Sequence, residues 1–232
     1  MRRLIPVFLI AVAALVGFFG YRMATGPKVQ DVGTPITQAP GAVQAEEEQL
    51  AVAAPTVPDT LPDFSLTDRD GQKKTLADWN GHPRIVNFWA TWCQPCRREI
   101  PLLQSLREER KADGLEVIGI AIDNRDDVLK YADKIGIKYP LLIGDQDGFD
   151  GALAFGVNGV LPFSVFADSK GRVAALKVGE LKADQAAFIL DTIRDVDQGH
   201  LDIATAKSRI ESHLRGAAES GAEAPATPAA AT

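Results

Sequence analysis

The sequence predicts an α/β fold in which helices flank a central mixed β-sheet. Residues 85–89 and 115–122 are largely apolar runs, which are typical of strands covered on both faces. Each is followed by a helical pattern, and this alternating order implies a right-handed parallel crossover. Residues 163–167 and 172–178 flank a turn at 168–171 and predict an antiparallel hairpin. A sheet with both kinds of pairing is mixed.

The N-terminal residues 1–24 are predicted to be a signal anchor. Arg2 and Arg3 precede an apolar run that extends from residue 4 to residue 21. A cleaved signal peptide is one alternative, although Ala24 is the best position of a poor small-x-small site; a buried core helix is another. The positive-inside rule keeps both arginines cytoplasmic. We therefore expect a single anchor in a bacterial inner membrane, with the α/β domain in the periplasm.

The remaining segments follow from composition and periodicity. Residues 25–58 are rich in Ala, Pro, Gln, Val and Glu and predict a disordered linker. The α/β domain occupies residues 59–196 and opens with an N-terminal β-hairpin extension. Residues 197–215 contain an additional C-terminal helix, and residues 216–232 form a disordered tail. The predicted helices lie at residues 93–112, 125–135, 182–194 and 201–214.

The two cysteines, Cys93 and Cys96, stand too close together to connect distant parts of the fold. They follow a buried strand and begin a helix, where unpaired N–H groups and the helix dipole stabilise a thiolate. Cys96 lies one turn further on, so it can attack a mixed disulfide on Cys93 and close a redox-active disulfide. Pro95 fits the first turn, where no N–H is needed.

Other interpretations of the cysteine pair are less well supported by the sequence. A structural zinc site needs four ligands, and His82, His200 and His213 are scattered along the chain. An inert buried disulfide would not need a strand-to-helix turn. We expect neither a metal nor a cofactor at this site. The net charge of −6 also argues against nucleic acid as a partner.

Residues 87–101, with the sequence NFWATWCQPCRREIP, resemble the signature of membrane-anchored thiol-disulfide oxidoreductases of the TlpA, ResA and CcmG type. The resemblance covers roughly residues 59–195 and implies a thioredoxin-like fold. It also implies that Pro162 is a cis-proline across from the disulfide. The preceding Leu161 would then offer backbone groups to an extended substrate segment. From the residues alone, Pro162 is only a turn proline.

Glu99 lies three residues after Cys96 on the same helix face and is a candidate for tuning the thiols or moving a proton. An ordinary solvated glutamate is the alternative, but ResA-like proteins carry a functional acid at the matching position. Asn87 stands where thioredoxin has a buried aspartate, so we expect Glu99 to replace that acid. Trp92 and Pro95, beside the cysteines, are expected to contribute to the substrate-binding surface.

The resemblance implies an enzyme that reduces disulfides of periplasmic client proteins during cytochrome c or copper-site maturation. Its electrons would come from a membrane thiol reductant of the DsbD/CcdA type. An oxidising dithiol stays open because motif residues do not fix a reduction potential. A redoxin-type peroxidase would need threonine where Ala90 stands. The non-enzymatic alternative is a copper chaperone or a binding module. The sequence has no histidine near the predicted hairpin, which makes copper ligation weak.

Overall fold

A computed structural model describes residues 57–222, which form one seven-stranded mixed sheet with helices on both faces. The strands are β1 (Ser65–Asp68), β2 (Lys73–Thr75), β3 (Arg84–Trp89), β4 (Glu116–Ala121), β5 (Leu141–Ile143), β6 (Phe163–Ala167) and β7 (Val173–Val178). The α-helices are α1 (Gln94–Glu109), α2 (Arg125–Ile135), α3 (Gln146–Leu153), α4 (Ala183–Asp197) and α5 (Ile203–Ala222). The predicted fold class, including the N-terminal hairpin, is confirmed.

The strand order across the sheet is β2-β1-β5-β4-β3-β6-β7. Strands β3, β4 and β5 are parallel, whereas β1 and β2 at one edge and β6 and β7 at the other run antiparallel to their neighbours. β3 therefore lies inside the sheet with a neighbour on each side. This position explains its largely apolar sequence, because both of its faces are covered.

Alternate residues of β3 face the two halves of the core. Ile85 and Trp89 belong to the half that also contains apolar side chains of α1, α2, α4 and α5. Val86 and Phe88 belong to the other half, which α3 and the 3-10 helix Leu76–Trp79 help to cover. Asn87 shares the side of Ile85 and Trp89, so its amide points toward α1.

Several boundaries differ from the sequence prediction. The helix expected to reach residue 112 ends at Glu109 and is followed by the separate 3-10 turn Lys111–Asp113. Strand β5 and helix α3 carry no clear sequence pattern, because β5 has three residues and α3 contains two glycines. Helix α5 continues to Ala222, beyond residue 216 where the disordered tail is predicted to begin. Its last turns are rich in alanine, and extending an existing helix requires no new nucleation.

The predicted signal anchor at 1–24 and the linker up to residue 56 lie outside the described residues, as do residues 223–232 of the predicted tail. Within residues 57–222, no helix is both long enough and apolar enough to cross a membrane.

Candidate active site

Cys93 and Cys96 form a disulfide at the start of α1. Cys93 has an extended backbone conformation and caps the helix, and its Sγ accepts a hydrogen bond from the Cys96 N–H at 3.3 Å. Pro95 occupies the first turn, as its missing N–H allows. The sulfur of Cys93 therefore lies where a helix N-terminus favours negative charge.

The two cysteines differ in their access to solvent. Cys93 is 5% exposed, whereas Cys96 is fully buried and Trp92 is 70% exposed. An incoming disulfide can therefore reach the Cys93 sulfur first, with the exposed indole of Trp92 beside it. This arrangement fits an attacking role for Cys93 and a resolving role for Cys96.

The cis peptide bond between Leu161 and Pro162 agrees with the geometry that the resemblance implies. Pro162 precedes β6, whose first residue Phe163 pairs with Phe88 near the end of β3, so the proline loop and the cysteine loop meet at one end of the sheet. The Pro162 carbonyl accepts a hydrogen bond from Gly179 at 2.8 Å. Among the described residues, Leu161 has no backbone partner, which leaves its N–H and C=O free for a bound segment.

Glu99 is buried behind the disulfide, with only 2% of its surface exposed. Its Oε1 accepts a hydrogen bond from Asn87 Nδ2 at 2.7 Å, and its Oε2 accepts one from the Leu181 N–H at 2.8 Å. Burial raises the pKa of the carboxyl above its ordinary value, although both hydrogen bonds act in the opposite direction. The alternative of a solvated helix glutamate is therefore wrong.

Asn87 connects Glu99 to the sheet. Its Nδ2 donates a second hydrogen bond, at 3.0 Å, to Ser164 Oγ on the neighbouring strand β6. Both side chains are buried, and their residues are paired across the two strands. Asn87 itself cannot titrate, so the acid at this position in the core is supplied from α1 by Glu99.

Two ion pairs that share Glu180 hold the loop that carries Leu181. Arg98 Nε donates to Glu180 Oε2 at 2.9 Å, and Lys182 Nζ lies 2.9 Å from Glu180 Oε1. These two bonds lower the pKa of Glu180 to about 2. The sequence does not indicate Leu181, Ser164 or the Arg98–Glu180 ion pair, because their partners lie about 80 residues away along the chain and no local pattern marks them.

Comparison with known proteins agrees with this geometry. The model of the AhpC/TSA family matches residues 57–197. The thiol-disulfide oxidoreductase ResA of Geobacillus thermodenitrificans is 33% identical over 148 residues, which cover 63% of this chain and 82% of that relative. The chain belongs to the AhpC/TSA family and is a ResA-like thiol-disulfide oxidoreductase.

Two further similarities extend across the same domain of this ResA-like oxidoreductase. The thioredoxin-like protein YneN of Bacillus subtilis is 34% identical over 134 residues, which cover 56% of this chain and 76% of the relative. A crystal structure of a secreted thiol-disulfide isomerase from Corynebacterium glutamicum matches with a TM-score of 0.54 and 28% identity, covering 58% of this chain and 85% of that one. The thioredoxin-like fold is thus confirmed.

The segment that leads into the cysteine loop of this oxidoreductase is held by Asp123, just after β4. Asp123 Oδ2 accepts hydrogen bonds from the Thr91 N–H at 2.9 Å and the Thr91 hydroxyl at 2.5 Å. Three residues before Cys93 stands the buried Ala90, which has no hydroxyl. The threonine that the peroxidase alternative requires at that position is missing.

Two of the histidines of the ResA-like oxidoreductase, His82 and His213, contact groups other than the cysteine pair. His82 Nδ1 is 3.1 Å from the Gly114 carbonyl, and His213 stacks on Phe188 with ring centroids 3.7 Å apart. Across residues 57–222 there is no group of three or more His, Cys, Asp or Glu side chains placed to hold a metal ion.

Proposed function

We propose that this oxidoreductase acts as a reductase on disulfides of client proteins. The observation that carries the proposal is the buried carboxyl of Glu99, one turn after Cys96. A dithiol is strongly oxidising when its reduced form is stabilised. An ionised Glu99 close behind the pair opposes a second negative charge and so limits stabilisation of the thiolate. A dithiol whose thiolate is weakly stabilised gives up its electrons more readily than one whose thiolate is strongly stabilised.

The geometry supports a two-step exchange. The Cys93 thiolate attacks the client disulfide, forms a mixed disulfide and releases one client sulfur as a thiolate that takes up a proton. Cys96 then passes its proton to Glu99 and attacks Cys93 Sγ, which breaks the mixed disulfide and releases the second client sulfur as a thiolate; that thiolate takes up a proton, and Glu99 gives its proton back to solvent. The client gains two electrons, and the enzyme is left with the Cys93–Cys96 disulfide. A membrane thiol reductant of the DsbD/CcdA type would restore the dithiol.

The client segment would bind across Cys93 in an extended conformation. Within the described part of the chain, Leu161 has unpaired backbone groups next to the cis-proline Pro162, and such groups can extend a strand pairing with a substrate. Trp92 precedes Cys93 and is exposed, and Pro95 stands between the two cysteines, so both would contribute apolar contact beside the disulfide. Leu161, Pro162, Trp92 and Pro95 together form the proposed substrate-binding surface.

The proposed location is the periplasmic face of a bacterial inner membrane. It is supported by Arg2 and Arg3 before the apolar run 4–21, and by the exported character stated for the C. glutamicum structural relative. Clients in cytochrome c or copper-site maturation are proposed from the resemblance to the TlpA, ResA and CcmG type. Protease treatment of spheroplasts should digest the domain while leaving cytoplasmic marker proteins intact.

The reduction potential of the Cys93/Cys96 pair tests the direction of electron flow. We expect a value closer to about −270 mV, as in thioredoxin, than to about −120 mV, as in DsbA. Equilibration with glutathione or dithiothreitol, followed by alkylation of free thiols, provides the measurement. A potential near that of DsbA would contradict the reductase proposal and favour the oxidising alternative.

A further inference from the structure

Three polar residues stand in one row across the sheet. Asn87 on β3 is paired with Ser164 on β6, and Ser164 is paired with Lys177 on β7. Residues directly opposite each other have Cβ atoms about 4.5–5.5 Å apart and share one face of the sheet. The hydrogen bond between Asn87 and Ser164 shows that this face is the one that carries Glu99. The row therefore leads from the buried carboxyl to the edge strand β7.

Lys177 and Glu99 are both without an ion-pair partner among residues 57–222. Glu99 is buried and Lys177 is half-buried, so neither charge is fully screened by water. Lys177 Nζ donates a hydrogen bond to the Val178 carbonyl at 2.7 Å, a neutral acceptor that leaves its charge unbalanced. Burial lowers the pKa of Lys177, and the field of Glu99 opposes that shift.

The other ionisable groups that face Glu99 within the described residues are few. On α1, Cys96 precedes it by one turn and Arg98 adjoins it; Glu180 and Lys182 lie in the loop before α4, and Tyr139 lies just before β5. Arg98 and Lys182 share Glu180 as an ion-pair partner, and both side chains are more than half exposed, so that carboxylate and the solvent weaken their fields at Glu99. Tyr139 is neutral at physiological pH, since burial raises the pKa of its phenol. Lys177 differs from these two cations because it is half-buried and has no ion-pair partner within residues 57–222.

We propose that Lys177 is a positioning residue of this oxidoreductase, the counter-charge that keeps Glu99 ionised and ready to take the proton of Cys96. The row Asn87–Ser164–Lys177 places Lys177 on the face of the sheet that carries Glu99. Lys177 acts through Glu99 and touches neither sulfur nor client. The part of this inference that concerns the Cys96 proton rests on the proposed function, whereas the electrostatic coupling of Lys177 to Glu99 does not.

Replacing the charge of Lys177 tests the coupling directly. We expect Lys177→Met to raise the pKa of the Glu99 carboxyl, because the positive charge of Lys177 lowers that pKa. The measurement is carboxyl ¹³C NMR of the reduced protein over pH, with Glu99→Gln used to assign the signal. Lys177→Arg should retain the wild-type pKa, because it retains the charge. Lys177→Gln provides the same test if the methionine variant does not fold.

Lys73→Met is the matched control. Lys73 is an exposed lysine on β2, at the opposite edge of the same sheet, and should not affect Glu99. An unchanged Glu99 pKa in both the Met and Gln variants of Lys177, or an equal shift in Lys73→Met, would overturn the inference.

A second readout separates the inference from the proposed function. The rate at which Cys96 resolves a mixed disulfide on Cys93 should rise with pH as Glu99 loses its proton. In Lys177→Met the midpoint of this rise should move to higher pH, by the same amount as the Glu99 pKa measured by NMR. In the Glu99→Gln background, Lys177→Met should produce no such movement. If Glu99→Gln leaves the rate profile unchanged while the NMR shift is present, the proton role of Glu99 fails and the coupling to Lys177 stands.

Discussion

At Glu99, burial and hydrogen bonding act on one carboxyl group in opposite directions. Removing the group from water favours its protonated form, whereas the N–H donors of Asn87 and Leu181 favour the carboxylate. The net result is a raised pKa, which brings the pKa of the carboxyl closer to neutral pH. A group with such a pKa can both take up and release a proton efficiently. The same balance links the stability of the fold to pH.

Glu99→Gln should remove this link. Because the folded-state pKa of Glu99 lies above its ordinary value of 4.5, its contribution to stability is fully present below that value and is lost as pH rises through the raised pKa. The free energy of unfolding of the wild type should therefore fall relative to that of Glu99→Gln as pH increases. Urea unfolding of the oxidised proteins at a series of pH values measures the difference. A difference that is constant with pH would contradict the prediction.

Cys96→Ser should accumulate mixed disulfides with client proteins on Cys93. The serine hydroxyl cannot resolve the intermediate, and the attacking sulfur is still the more accessible of the two. Non-reducing electrophoresis and mass spectrometry of envelope extracts detect the adducts. Cys93→Ser is the control and should trap none. Equal trapping by both variants, or none by Cys96→Ser under oxidising conditions, would count against the assigned roles.

At the scale of elements, close packing between β4 and β5 positions the strand beside the active site. Gly119 on β4 is paired with Asn87, and a Cβ at this position would lie 2.8 Å from both Leu141 Cδ2 and Tyr139 Cε2. Trp89 Nε1 would be 3.1 Å away. The glycine is therefore needed for space, which allows the aromatic side chains to pack beneath the cysteine loop.

Gly119→Ala should destabilise the fold by about 1–3 kcal/mol, because the surrounding side chains must move to admit a methyl group. Gly216→Ala is the matched control: a Cβ added to this α5 glycine would meet no heavy atom within 4 Å, and its φ is not positive. It should be neutral or stabilising, since alanine favours a helix. Urea unfolding gives both values. A Gly119→Ala protein as stable as wild type would show that the packing is looser than described.

At the scale of the whole molecule, the functional groups gather at one end of the sheet. The cysteine loop follows β3, Asp123 follows β4, and the cis-proline Pro162 precedes the antiparallel β6. Crevices beyond the carboxyl ends of parallel strands are the common location of α/β active sites. Helix α5 lies beyond the segment matched by the AhpC/TSA family but packs on the same core through the buried side chain of Ile210.

Ile210→Ala should therefore destabilise the whole domain, by about 2–5 kcal/mol, as expected for a fully buried isoleucine. Glu211→Ala is the control on the same helix, because Glu211 is exposed and its pair with Arg215 is a surface ion pair worth about 0.3–0.5 kcal/mol. Denaturant unfolding monitored by tryptophan fluorescence compares the two. Equal, small effects would indicate that α5 folds independently of the domain.

The sequence predicts the strands and helices whose apolar pattern extends over many neighbouring residues. The apolar run of β3 and the capped helix that follows are decided by neighbouring residues, so the strand-to-helix turn and both cysteines could be placed in advance. Strand β5 and helix α3 could not, because three residues give no period and two glycines weaken a helical pattern. The end of α5 was misplaced because composition alone does not show where an alanine-rich helix stops.

Neighbouring residues are enough to predict that Cys93 and Cys96 form a redox pair at the start of a helix, and they indicate Glu99 as the nearby acid. The surroundings of that acid depend on the folded structure. The Leu181 N–H is 82 residues away from Glu99, Ser164 is 77 from Asn87, and Lys177 reaches the same row only through the pairing of β3, β6 and β7. Such contacts depend on the register of distant strands, which no local spacing encodes.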